Sequence, residues 1–222
     1  MSRLLSIAVL SAIALASSGA APTVIPVGQF RSVELHDGGN VIVRHGPTQR
    51  VMILMGDSRY TRVRIAGGQR LVIEKCQPDC PSDYQHRIEV ITPEISAVSV
   101  SNGGTVQSVG AFPAQAAITA AVNQGGTIDI RSIPADAVDA SVDSGGRIFT
   151  TARDTLAATI VSGGGITYWG DPRVQRTVRN GGAFAKGTRA DADKPLSELD
   201  PLLAPIAPIA PIAPISPLRN DH

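Results

Sequence analysis

Residues Ala140 to Thr150 read ASVDSGGRIFT. An alternation of small or apolar and polar residues enters a glycine pair, and a second alternation leaves it. Related stretches stand at VSVSNGGTVQ (98–107), AVNQGGTIDI (121–130), TIVSGGGITY (159–168) and TVRNGGAFAK (177–186). With the first glycine of each pair as origin, the series is Gly103, Gly125, Gly145, Gly163 and Gly181, at intervals of 22, 20, 18 and 18 residues. A period of this size marks a stack of repeated units.

Other columns align with the glycines. Three residues before each pair stand Val100, Val122, Val142, Ile160 and Val178; three after stand Val106, Ile128, Ile148, Ile166 and Phe184. Seven before it, in the last four units, stand Ile118, Val138, Leu156 and Val174, and Ala120, Ala140 and Ala158 form a further column. The residues between are mostly polar or small, so the period is two and the segments are half-buried strands. A second break, at Pro113, Pro134, Asp154 and Pro172, falls about nine residues past each origin. Proline cannot donate to a ladder and belongs at such corners. The expected fold is all-β, a single parallel β-helix with units of 18–22 residues. The alternative is an antiparallel sandwich or meander with the glycine pairs as hairpin turns.

The residue before each pair is Asn102, Gln124, Ser144, Ser162 or Asn180. Together with Gly103, Gly125, Gly145, Gly163 and Gly181 these form an expected turn ladder, whose polar side chains can serve corner backbone groups. The pairs match neither dinucleotide nor P-loop spacing and open no helix, which argues against a phosphate cradle. No cofactor is expected.

The corner pattern resembles the auto-transporter adhesin head (GIN) domain family of exported bacterial proteins. The resemblance rests on FRSVELHDGGNVIVRHG from Phe30, LVIE from Leu71, PEISAVSVSNGGTV from Pro93, VDSGGRI from Val142 and VSGGGIT from Val161, and spans roughly Val27 to Lys186. It implies a parallel β-helix and a surface or envelope role, and it brings no catalytic residues. The family's corners favour Ser-Gly-Ser-Gly, where this chain has paired glycines. No translocator barrel is expected in the sequence.

The chain divides into three parts. Residues 1–20, with Arg3 ahead of an apolar run from Leu4 to Ala16 and a small-residue site at Ser18-Gly19-Ala20, read as a secretory signal. Residues 21–190 form the β domain, with an irregular portion at 27–92, hairpin-like excursions included, and regular units at 93–186. A cap is expected at the far end, where Arg176 interrupts the alanine column. Residues 191–222 form a tail whose Ala-Pro-Ile repeat suits an extended polyproline rod or a disordered linker. Export makes Cys76 and Cys80 an expected disulfide. Extended, their Cα atoms would lie roughly 13 Å apart, so Pro78-Asp79 must turn the chain back.

A net charge of +1 gives no electrostatic case for nucleic acid or an anionic membrane. No transmembrane segment is expected in the mature chain. His86 is the one histidine near the cysteines, too few ligands for a metal site. Asp139 and Asp143 share a strand face but stand roughly 13 Å apart, against an enzyme with paired carboxylates. The expected function is therefore an exported, non-catalytic, adhesin-like protein of the periplasm, outer surface or extracellular space. It would bind an envelope component or a glycan, or serve structurally; a β-helix enzyme acting on polysaccharide is the alternative. Trp169, expected to point outward, is the one candidate for stacking on a sugar, or else a cover for the final unit.

Overall fold

The computed structural model describes residues 22–75 and 80–199. The signal segment, Cys76 and the Ala-Pro-Ile repeat lie outside them.

The strands are β1 (Thr23–Ile25), β2 (Ser32–His36), β3 (Asn40–His45), β4 (Arg50–Met55), β5 (Thr61–Ala66), β6 (Arg70–Lys75), β7 (Arg87–Thr92), β8 (Ala97–Ser101), β9 (Thr105–Val109), β10 (Gln115–Asn123), β11 (Thr127–Ser144), β12 (Arg147–Ser162), β13 (Gly165–Trp169), β14 (Arg173–Val178) and β15 (Ala183–Lys186). A short 3-10 turn, Arg189–Asp191, and α1 (Leu196–Leu199) follow. The strands join one nearly closed, barrel-like sheet.

Two walls compose it. The strands before the glycine pairs run β5-β6-β2-β8-β10-β11-β12-β14, and those after them run β1-β4-β7-β3-β9-β11-β12-β13-β15. The long strands β11 and β12 serve both walls. The first half of β11 pairs with β9 and the second with β10, both parallel. Register shifts between Ile130 and Ala137 mark the bend, at Pro134. Every strand pair from β8 to β15 is parallel, so the glycine pairs are not hairpin turns.

The columns read from the sequence are the register of the sheet. Val100, Val122, Val142, Ile160 and Val178 are successive Cα partners, as are Val106, Ile128, Ile148, Ile166 and Phe184. Burying like on like gives one continuous apolar interior, from Phe30 to Ile166.

The stack begins earlier than the repeat. Strands β2 and β3 flank Gly38-Gly39, and they pair in parallel with β8 and β9. Leu35 and Val41 continue the two principal columns. The chain then leaves through β4 and β5, both antiparallel to their neighbours, and returns as β6 and β7 on the far side of β2 and β3. The 65 residues from Gly38 to Gly103 hide this corner from a period of about 20. At the other end, β14 and β15 each pair on one edge only among the described residues, and β14 is exposed throughout. The expected cap does not cover this end within the described residues.

Candidate functional site

The two glycines of a corner do different things. Gly103, Gly125, Gly145, Gly163 and Gly181 have φ between +72° and +85° with no atom within 4 Å of where a Cβ would stand. They supply left-handed backbone and nothing else. Their successors also lie under the neighbouring unit: a Cβ on Gly146 would meet Val122 Cγ1 at 2.5 Å and the Gly126 carbonyl oxygen at 2.7 Å. That close approach carries the ladder around the corner. The amide of Thr105 donates to Gly39 O, Thr127 to Gly104 O, Arg147 to Gly126 O, Gly165 to Gly146 O and Ala183 to Gly164 O, each at 2.9 Å.

The turn ladder divides into two forms. Asp37, Asn102, Gln124 and Asn180 take φ of +48° to +60°, so three residues in succession are left-handed. Ser144 and Ser162 remain the last residues of β11 and β12. Asn102 donates Nδ2 to Asp37 Oδ1 at 3.0 Å, tying adjacent corners. Asparagine tolerates this region well and glutamine less so. Gln124→Gly is therefore expected to stabilise the fold by about 0.5–1 kcal/mol, read from the shift in urea midpoint. The corners line an open groove of about 620 Å³ that runs from Gly38 to Gly164, with Lys75, Gln85 and Arg147 beside it.

His86 sits under Gly39, and a Cβ there would collide with its imidazole. Neither ring nitrogen has a hydrogen-bond partner. Burial, then the nearby Lys75 charge, pushes its pKa down to about 4. The folded state holds His86 neutral while the unfolded chain protonates near 6.5, so stability present above that pH is lost as pH falls toward 4. Of the acid-side loss, about 3 kcal/mol is expected from this residue. His86→Gln should flatten that part of a denaturation series between pH 7.5 and 4.

Trp169 is 8% exposed and packs with Phe149 and Leu196. Strand alternation points it outward, as the sequence indicates, but residues 187–199 fold back over it as a strap. Its Nε1 donates to Thr188 O at 2.9 Å. The indole is therefore a seat for the strap and presents no open stacking face. Arg131, which no local pattern singled out, fixes the other side. Its Nε and Nη2 donate to the two Asp129 carboxylate oxygens at 2.9 and 2.7 Å, and Nη1 and Nη2 donate to Asp191 O, Ala192 O and Lys194 O at 3.0 Å. All five guanidinium N–H groups are thus engaged. Its Cζ lies 5.3 Å from the Trp169 ring centroid and 5.9 Å from that of Phe149. The Lys194 ammonium and the Thr188 hydroxyl hold the Asp191 carboxyl below its usual range.

The outer face of the first wall carries a mixture of alanine and polar residues. Thr119, Asp139, Ala157 and Gln175 lie side by side across it, beside Ala117, Ala137, Thr155 and Arg173. They surround an open depression of about 530 Å³. Among the described residues no three His, Cys, Asp or Glu side chains gather as a metal site would require. No helix among them is long and apolar enough to cross a membrane.

Residues 114–172, from the start of β10 past the end of β13, match the family model described as "Putative auto-transporter adhesin, head GIN domain". Similar solved structures include a putative adhesin from Bacteroides fragilis NCTC 9343, at 17% identity and TM-score 0.41 over 75% of this chain and 96% of that one. A putative lipid binding protein from Parabacteroides distasonis ATCC 8503 has 13% identity and TM-score 0.31 over 78% and 98%. A putative cell adhesion protein from Clostridium sporogenes ATCC 15579 has 8% identity and TM-score 0.32 over 76% and 98%. No curated protein matches the chain. Over residues 114–172 the glycine-pair repeat is a match to the auto-transporter adhesin head GIN domain family that its corners resemble.

Proposed function

We propose that this is an exported, non-catalytic protein of the cell envelope or surface, whose units wind as one parallel β-helix and whose outer wall binds an extended envelope polymer such as a glycan. The carrying observation is the unshifted parallel register from β8 through β14 on the first wall, with Thr119, Asp139, Ala157 and Gln175 in one outward row. Such a face offers side chains at a regular strand-to-strand spacing along its length, which suits an extended ligand. The adhesin-head match over 114–172 supports the same reading. Export is supported by the apolar segment behind Arg3 and by the Cys76 and Cys80 pair. Thiol labelling of the denatured, unreduced chain is expected to find no free thiol, and two after reduction.

The reading is tested by screening the purified chain against glycans and envelope components. Binding to at least one is expected, with loss on Ala137→Trp or Thr119→Trp, which fill the depression. Failure to bind any would leave a structural role. The enzyme alternative meets an obstacle on the same wall: Asp139 lies between Thr119 and Ala157, with no acid beside it in either neighbouring strand. Polysaccharide cleavage lost in Asp139→Asn would reverse the choice.

A further inference from the structure

Strand β14 is bound to β12 on one edge and to no strand on the other among the described residues. Its inward side is unfinished as well. Val174 and Val178 are 37% and 43% exposed, while Leu156 and Ile160, their partners in β12, are 1% and 0% exposed. An open ladder edge and two truncated apolar columns thus coincide. Three cations mark the same strand and its end, Arg173, Arg176 and Arg179, and none has an ion-pair partner among the described residues. Arg176 occupies the column that holds Ala120, Ala140 and Ala158 below it, with its guanidinium over the Phe184 ring at 5.6 Å.

We propose that this edge docks an extended acidic polypeptide, which adds to β14 as the next strand of the wall. Backbone groups of the free edge would supply the ladder, Val174 and Val178 the apolar contacts, and the arginines the preference for acid. Charge argues against a second copy of the chain. Arg173 and Arg179 are symmetric about Arg176, so in the two-fold register centred on Arg176, which pairs the whole of β14, arginine opposes arginine. Stacking β14 on β5 of another copy would bring the same arginines against Arg62 and Arg64. The chain's own Ala-Pro-Ile segment fits poorly too. Residues 204–215 contain no acid, and proline at every third position removes ladder donors. The proposal is independent of whether the outer wall binds a glycan.

The test uses the full chain and a labelled synthetic peptide, Glu-Val-Thr-Glu-Thr-Val-Glu, whose acids face the three arginines and whose valines cover Val174 and Val178. Anisotropy is expected to show it binding about tenfold or more tighter than Lys-Val-Thr-Lys-Thr-Val-Lys, with the advantage shrinking in salt. Arg176→Glu should narrow the preference, since Arg173 and Arg179 still favour acid. The double variant Arg173→Glu, Arg179→Glu changes only exposed outward positions and should reverse the preference with an unaltered melting curve. N-methylation of alternate peptide amides should abolish binding. Equal affinity for the two peptides, no binding at millimolar concentration, or binding that survives N-methylation overturns the proposal. So does self-association of the chain through β14, or capture of a polyanionic polysaccharide that the acidic peptide does not displace.

Discussion

Gly146→Ala is expected to lower the unfolding free energy by about 3–4 kcal/mol, and Gly145→Ala, one residue earlier, by only about 1. Both glycines have positive φ, +87° and +72°. A side chain at either pays for left-handed backbone, partly offset by the reduced freedom of the unfolded chain. Only Gly146 lies beneath the neighbouring unit, where its Cβ would press on Val122 and on the Gly126 carbonyl. That carbonyl accepts the Arg147 amide, so the extra methyl group strains packing and forces the ladder apart together. Urea denaturation of the two variants reads the difference. Equal losses would mean that conformation alone dictates the pair, and that the close approach contributes nothing.

Arg131→Met is expected to cost about 3–5 kcal/mol and to free the strap. The substitution leaves the Asp129 carboxylate, 2% exposed, without its partner. It also abandons three strap carbonyls at once. Arg131→Lys should rescue little, since an ammonium has three donors and no planar fork. The chain contains a single tryptophan, and Trp169 lies in this contact, so its emission reports the event directly. A red shift and early proteolytic cleavage between residues 187 and 199, while the sheet signal in circular dichroism persists, are the expected signs. An unshifted spectrum with an unchanged melting temperature would refute the role of Arg131 as the pin.

The regular part of the sheet was legible because its register is written in residue identity. Each inward column keeps one chemical type from unit to unit, and the glycine pairs set the phase. The corner at Gly38-Gly39 has the same chemistry, with Leu35 three before and Val41 three after. It escaped the period because an excursion of two antiparallel strands separates it from its spatial neighbour. Trp169 shows another limit. Alternation gives the side of the sheet on which a residue lies, and Trp169 does lie outside. It does not say that a segment some 20 residues later returns to cover that side. Arg131 gave no signal of its long-range role, since its partners beyond Asp129 are backbone carbonyls at positions 191–194, and any sequence supplies carbonyls. His86 looked solitary along the chain and is buried only because β7 returns beneath β3.

The order in which the strands lie gives the molecule two unlike ends. One ends in antiparallel strands, where the chain doubles back through β4 and β5. The other, at β14 and β15, stops in mid-pattern. Insertion or loss of a whole unit between Gly103 and Gly181 leaves both ends chemically unchanged, and lengthens or shortens the body by one strand spacing, about 4.8 Å. The sheet is therefore graduated: its extent is set in single-strand increments by the number of glycine pairs, and can be changed without redesigning either end.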